Sequence, residues 1–431
     1  MRFSRGRRGN LALVLSGLLS LSFTAGCARE EALDLPPADP GQVEAVALGS
    51  FSQASLRGFL AASAWWELQS GYVAAVARNG VVVSAMSAGF ADIETAEPMR
   101  IDTRFRLASM TKPVTAVAAM ILIEQGRLRL DDAVAKFIPQ AGQLRVATST
   151  ELRPDGTFPT QALARPMTVR DLLTFRSGIG AKDDDSDLGR VWASNDIYAG
   201  SGSLGDRVVR ILSAPLYEQP GTAWRYGWSA DVLARVVEVA AGQPFGQFLQ
   251  QQIFAPLEMV DTSFLPPADK RERLASMYTQ DEDGSLLLVP EPASDASFWT
   301  PGGSGLVSTA GDYLRFALML WNQGAYNGVR ILAPETVAEM TRIHVDEGVL
   351  ADEDIEGLGW GYGLAVVADA DATPMIDEDG DFFWSGYYAT TFFVSPKKDL
   401  VGVVLAQNQP AEHSPLPYPV YLAQSFAYWG S

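Results

Sequence analysis

The sequence predicts an α/β (α+β) chain: an antiparallel sheet core flanked by helices, with a helical insertion domain. Three observations predict it. Strand-like runs occur early in the chain and again near its end. The stretch between them, 151–290, is patterned for helices and has few β-rich runs. The late strands are separated by short turns, and sequential strands so connected form an antiparallel meander. The early strands and this meander together complete one sheet, which a terminal helix and the helix starting near residue 109 are expected to cover.

The chain has 431 residues, 47% of them hydrophobic, enough to bury a large core. Its single cysteine, Cys27, rules out an internal disulfide and a Cys-based zinc site, so the fold must hold by packing. A formal charge of -18 repels phosphate backbones and anionic lipid surfaces and argues against nucleic-acid binding.

The N-terminus reads as an address. Arg2, Arg5, Arg7 and Arg8 precede an apolar run at 11–23, shorter than the roughly 20 residues a membrane-spanning helix needs. A basic head, a short apolar run and small residues after it make a secretory signal. It ends Thr24-Ala25-Gly26-Cys27, which resembles a bacterial lipobox, although Thr24 stands where Leu is usual. That resemblance implies cleavage at residue 27, acylation of Cys27 and, with Ala28 following, an exported protein of the periplasm anchored to the outer membrane. Membrane contact would then be through the lipid anchor alone; ordinary cleavage nearby with an incidental cysteine is the alternative. Residues 28–43, charged and carrying Pro36, Pro37 and Pro40, read as an extended tether. The catalytic core is expected in 44–150 and 291–431, around the insertion.

Within the core, Asn79-Gly80 between two β-rich runs signals a hairpin over 71–91. A helix is expected over 109–125, with Val114, Val117, Ala118, Ile121 and Leu122 at helical spacing, Pro113 in its first turn and Gly126 after its end. Helices are expected at 169–175, 204–212, 231–241, 309–323, 334–343 and 417–429, and strands at 361–367, 382–394 and 401–406.

Chemistry centres on Ser109-Met110-Thr111-Lys112. Residues three apart on a helix share a face, about 4.5 Å apart along the axis. A lysine amine one turn on can take the serine proton, and a helix N-terminus favours a developing anion. The spacing alone is weak: Ser395-Pro396-Lys397-Lys398 shares it, but in a polar turn where the lysine is solvated. An N-cap serine beside an exposed lysine is the plain alternative for Ser109.

Longer stretches sharpen the reading. Phe105 to Lys112, Met167 to Gly178, Pro220-Gly221-Thr222 with Trp224-Arg225-Tyr226, Phe254 to Thr262, and Gly302 to Thr309 together resemble the beta-lactamase-like serine hydrolases, in order, across roughly residues 50–410. The resemblance implies a beta-lactamase/transpeptidase-like fold and a catalytic set of Ser109, Lys112 and Tyr226. It implies no metal and no organic cofactor. Where class C beta-lactamases carry Asn, Trp228 stands, and Trp384-Ser385-Gly386 takes the place of Lys-Thr-Gly, similar to the Trp-x-Gly of family VIII carboxylesterases. Trp228, Trp384, Ser385 and Gly386 are the expected substrate-binding residues. The N–H groups of Ser109 and Tyr387 would form the oxyanion hole. A tryptophan in place of a cation favours neutral esters over carboxylate-bearing lactams or D-peptides.

The expectation is therefore a serine hydrolase acting on a small-molecule ester or amide. A D-amino-acid amidase, a beta-lactamase, or an anchored binding protein that has lost turnover are the other readings. A histidine-based esterase lacks its Gly-x-Ser-x-Gly elbow, and His344 and His413 are expected to be surface or structural residues. The acidic runs at 183–185 and 377–381 do not fit EF-hand spacing.

Overall fold

A computed structural model describes residues 28–39, 50–65, 68–181, 185–198, 202–264, 273–281, 283–290, 300–346, 350, 356–373 and 378–409. The signal segment, Cys27, His413 and the helix expected at 417–429 lie outside the described residues.

Among the described residues the main sheet has nine strands, eight of them on one path: β1 (Arg29–Glu30), β2 (Gly71–Arg78), β3 (Val81–Asp92), β4 (Leu358–Trp360), β5 (Ala365–Val367), β6 (Phe382–Gly386), β7 (Thr390–Ser395) and β8 (Leu400–Leu405). Their order is β1-β3-β2-β8-β7-β6-β5-β4, every pair antiparallel, with Glu97–Pro98 pairing on β3 as well. The hairpin turn carries Asn79 at φ 49° and Gly80 at φ 75°, the paired positive angles that match strand twist. The joint between first and last strands is β2 on β8, from Val73↔Leu405 to Arg78↔Leu400.

These central strands are buried on both faces. Val73, Ala75 and Ala77 of β2 share one core with Val401, Val403 and Leu405 of β8. Tyr72, Ala74 and Val76 share the other with Leu400 and Val404. Such period-two burial fixes the register, since a one-residue slip would exchange the two faces. The helices are α1 (Ser50–Trp65), α2 (Thr111–Glu124), α3 (Val169–Leu173), α4 (Asp187–Ser194), α5 (Leu204–Ile211), α6 (Ser229–Ala241), α7 (Phe245–Leu249), α8 (Ala310–Trp321) and α9 (Pro334–Met340). Helix α8 lies on β8, β7 and β2, and α1 lies on β3 and β2, with Leu56, Phe59 and Leu60 in the second core.

Four expectations need amending. Helix α2 was expected as a cover for the sheet, but every residue from Thr111 to Leu122 is buried, and α6 packs along it. A helix apolar on all sides belongs in the interior, so α2 becomes the central pillar between the sheet and the helical region, and α8 takes the covering role. The run at 361–367 begins as a strand only at Ala365, because the chain turns at Gly363 (φ 78°) where it meets Ala116. The run at 382–394 divides into β6 and β7 around 387–389, with Ala389 at φ 59°. Finally, the described part of the 28–43 tether is fastened down. Ala28 and Ala38 are buried, β1 pairs with β3, the Ala38 N–H donates to the Gly80 carbonyl (2.9 Å), and the Ala38 carbonyl accepts from Asn322 Nδ2 (3.1 Å) and the Asn327 N–H (2.9 Å). Helices α1, α4 and α7 had no counterpart in the sequence reading.

Candidate active site

Ser109 sits in a single 3-10 turn, Ala108–Met110, that runs directly into α2. Ala108 takes φ 46°, a left-handed angle costing a non-glycine residue about 1 kcal/mol or more. That strain must be offset by the packing around it. One turn on, Lys112 is buried at 5% exposure. Its Nζ donates to Ser109 Oγ at 2.9 Å and to the Gly303 carbonyl at 2.7 Å. A lysine buried without hydrogen bonds would be expensive; here two of its three donors are used by the site itself.

Tyr226 lies just ahead of α6, half-buried. Phe175 stacks on its ring at 5.6 Å and 13°, and Lys112 Nζ stands over the ring, 4.7 Å from its centroid. The ring's negative face favours a cation there. Phe175 itself adopts φ 55°, an outlying angle for a bulky residue, and its carbonyl accepts the Arg225 N–H at 2.8 Å. The turn that props the phenol is thus tied to the segment that carries it. The structure brings the Ser109 hydroxyl, the Lys112 amine and the Tyr226 ring into one place.

Strand β6 supplies the opposite wall. Trp384 meets Tyr226 at 5.6 Å and Trp360 edge-on at 4.6 Å and 86°. Ser385 Oγ donates to Thr391 Oγ1 at 3.0 Å, which stitches β6 to β7. Gly386 lies so close to the Leu107 carbonyl that a Cβ would clash with it, and Thr390 Oγ1 donates to the same carbonyl at 3.1 Å. The end of β6 is therefore seated on the chain two residues before Ser109. Tyr387 follows immediately, its side chain 55% exposed.

Trp228 departs from expectation. It is 6% exposed, its ring lies 5.8 Å from that of Trp192, and it belongs to the first core rather than to the aromatic group around Tyr226. The cause is local: Gly227 passes against the carbonyls of Ile179 and Gly180, and the Trp228 N–H donates to Gly180 at 3.3 Å, so the chain turns this side chain inward. Trp228 is a core residue, not a wall of the cleft. His344 is likewise structural: Nε2 lies 2.8 Å from the Glu339 carbonyl and the ring stacks on Tyr362 at 3.9 Å.

Three residues at the site were not singled out from the sequence. Gly303 holds Lys112 through its carbonyl and donates its N–H to Asp231 Oδ1 at 3.0 Å. Asp231, in the first turn of α6, is wholly buried; that burial pushes its pKa up to about 6, against the downward pull of the Gly303 N–H and of Lys112. Tyr198 is 40% exposed, and its hydroxyl is hydrogen-bonded with Ser304. Burial and the neighbouring Asp231 raise its pKa well above the usual phenol range. The sequence signals for this group are the Gly-Gly-Ser-Gly run at 302–305 and the helix expected to begin at Asp231.

The family model described as Beta-lactamase matches residues 67–424. The chain belongs to the beta-lactamase family. Among its relatives is esterase EstB of Burkholderia gladioli, 32% identical over 379 residues, spanning 82% of this chain and 89% of that one. Protein Rv1367c of Mycobacterium tuberculosis is 34% identical over 355 residues, spanning 80% of this chain and 87% of the other. Among solved structures, EstCE1, described as a hydrolase with promiscuous acyltransferase activity, superposes with a TM-score of 0.73 at 27% identity, covering 87% of this chain and 98% of its own. The simvastatin synthase LovD of Aspergillus terreus shares the fold, with a TM-score of 0.75 at 21% identity, covering 88% of this chain and 98% of its own. This beta-lactamase family member is an enzyme, a serine hydrolase with esterase and acyltransferase relatives.

Proposed function

We propose that the protein is a carboxylesterase that works through an acyl-enzyme on Ser109. One observation carries the reading: Lys112 Nζ is within 2.9 Å of Ser109 Oγ, held there by the Gly303 carbonyl, beside the ring of Tyr226. Ser109 Oγ attacks the ester carbonyl while its proton passes to the Lys112–Tyr226 pair. The tetrahedral oxyanion is taken by the N–H groups of Ser109 and Tyr387, which the seating of Gly386 on Leu107 supports. Tyr226 protonates the departing alkoxide, and water activated by the same pair releases the acid.

Trp384, backed by Trp360, presents an apolar wall and no cation. That favours neutral esters over substrates bearing a carboxylate, and so an esterase over a beta-lactamase or D-peptidase. Deacylation by an alcohol instead of water is the second reading, favoured by the similarity to EstCE1. We also place the enzyme on the exported side of the membrane, anchored through Cys27; metabolic labelling with palmitate, lost on Cys27→Ser, is the check.

Ser109→Ala tests the core claim. It should keep the melting temperature, lose labelling by a fluorophosphonate probe, and lower turnover of p-nitrophenyl butyrate by about 10³-fold or more. Turnover retained by this variant overturns the assignment.

A further inference from the structure

Asp231 is a buried ionisable group that the proposed chemistry does not use. Among the described residues it forms no ion pair with an arginine or lysine: Oδ1 accepts the Gly303 N–H at 3.0 Å, and Oδ2 has no hydrogen-bond partner. Oδ2 points at Gly303 so closely that a Cβ on that residue would lie 2.5 Å from it. The same Gly303 offers its carbonyl to Lys112 Nζ at 2.7 Å. Carboxylate, glycine, amine and nucleophilic hydroxyl thus form one line, 231 to 303 to 112 to 109.

We propose that Asp231 is the positioning residue of the Lys112 amine: through Gly303 it fixes where the amine sits, and as a buried carboxylate it sets the charge against which the amine and the Ser109 hydroxyl exchange their proton. This rests on the reading of Ser109 and Lys112 given above. The backbone N–H groups of Gly303, Gly302 and Asp231 itself favour its carboxylate, but hydrogen bonds from backbone N–H groups could be accepted by a neutral side chain without the cost of burying a charge. An unpaired carboxylate one residue removed from the catalytic amine is therefore poorly explained as a loop anchor alone. Its effect reaches Lys112 at short range inside a water-poor interior, where charges act more strongly than in solvent.

The ionisable groups facing Asp231 are Lys112, from α2, and Tyr198, from the turn after α4. Tyr226 lies beyond Tyr198. Charged groups on the other helices packed against α6 are engaged elsewhere: Arg170 with Asp131 and Tyr362, Asp171 with Arg165, Asp206 with Ser203, Arg207 with the Ile197 carbonyl, Arg210 with the Asp196 carbonyl, and Glu124 with the Ala333 N–H. Burial places the Asp231 pKa at about 6, so its charge is present above that pH and is lost as pH falls through it.

The test is Asp231→Asn in the otherwise intact chain, assayed with p-nitrophenyl butyrate from pH 5 to 9 beside wild type and Ser109→Ala. The amide oxygen can still accept the Gly303 N–H, so the fold and the melting temperature should hold. kcat at pH 7.5 should drop at least tenfold with KM within twofold. The fall in wild-type kcat below pH 6 should shift or vanish in the variant. Wild-type kcat and an unchanged pH profile in Asp231→Asn overturn the proposal, as does lowered stability with kcat unchanged. Should Asp231→Asn fail to fold, the wild-type profile decides: an inflection in kcat between pH 5 and 7 supports the proposal, and a flat profile there overturns it. A dead Ser109→Ala with a normal Asp231→Asn removes this inference alone, whereas an active Ser109→Ala removes the reading beneath it.

Discussion

Gly386→Ala probes how tightly the Ser109 turn depends on the sheet. Gly386 has an ordinary φ, so alanine meets no conformational barrier there. It meets a steric one, because the added Cβ falls well inside 3.0 Å of both the Leu107 carbonyl oxygen and Thr390 Oγ1. To reach even the closest approach a real Cβ makes, the end of β6 and the Ser109 turn must part by roughly 1 Å, a displacement that can cost about 10²-fold in rate when reacting groups are misplaced. The hydrogen bond from Thr390 Oγ1 to the Leu107 carbonyl, 3.1 Å long, would stretch or break as well. Its loss and the overpacking together should cost about 1–3 kcal/mol of stability. The assay is pre-steady-state release of p-nitrophenol from p-nitrophenyl butyrate: the burst rate should fall about 10²-fold while the burst amplitude still reports one Ser109 per chain. Gly58→Ala is the control. It lies within α1 with nothing within 4 Å of the new Cβ, so it should gain about 0.5–1 kcal/mol and leave the burst unchanged. A Gly386→Ala enzyme with the wild-type burst rate would refute the claim that β6 sets the oxyanion site.

Replacing residues 28–38 by a Gly-Ser linker should lower the melting temperature by about 5 °C or more, since it removes β1, buried Ala38 and several backbone hydrogen bonds worth about 1 kcal/mol each; an unchanged melt would show the strap idle. Asp312, in the first turn of α8, accepts from the Asp261 N–H (2.8 Å) and Thr262 Oγ1 (2.9 Å), yet burial raises its pKa from 3.8 to about 6. The folded state therefore binds this proton more tightly than the unfolded chain. Its contribution is full below pH 3.8 and is lost as pH rises to about 6, a change of at most ~3 kcal/mol. Asp312→Asn should flatten that part of the stability curve between pH 4 and 6 in urea titrations, and an unaltered slope would contradict the assignment. Trp384→Lys should raise turnover of a chromogenic cephalosporin relative to p-nitrophenyl butyrate. It should also cost about 3 kcal/mol as the edge contact with Trp360 is lost; an unmoved ratio of activities would remove Trp384 from the selectivity argument.

What could be read in the sequence was whatever depends on near neighbours. Asn79-Gly80 announces its hairpin because both residues accept positive φ cheaply. Ser109 and Lys112 announce their contact because three residues on a helix put them on one face. The division of 382–394 was hidden, because Tyr387-Tyr388-Ala389 contains no turn former and Ala389 is bent by its surroundings rather than by preference. Asp231 and Gly303 were hidden for another reason: they are 72 residues apart, and the partner is a backbone N–H that no side-chain pattern encodes. Trp228 was misjudged because its place beside Tyr226 in the chain suggested a shared environment, whereas the contact of Gly227 with two carbonyls sends the neighbours into different cores.

Gly227, Gly303 and Gly386 share a property that separates them from turn glycines: none has a positive φ, yet a Cβ on any of them would strike a backbone carbonyl or the Asp231 carboxylate. They are present for room, not for conformation. The Ser109 turn is thus held by the main chain of β6 on the Leu107 carbonyl, and the Lys112 amine by the carbonyl of Gly303 in the 302–305 loop. Contacts made through the backbone do not depend on the identity of side chains such as Trp384 and Tyr198. A scaffold built this way can change the side chains around the site while leaving Ser109 where it is. That separates two classes of variant here: alanine at the three glycines should lower kcat, whereas side-chain changes at Trp384 or Tyr198 should act first on KM and on the choice of substrate.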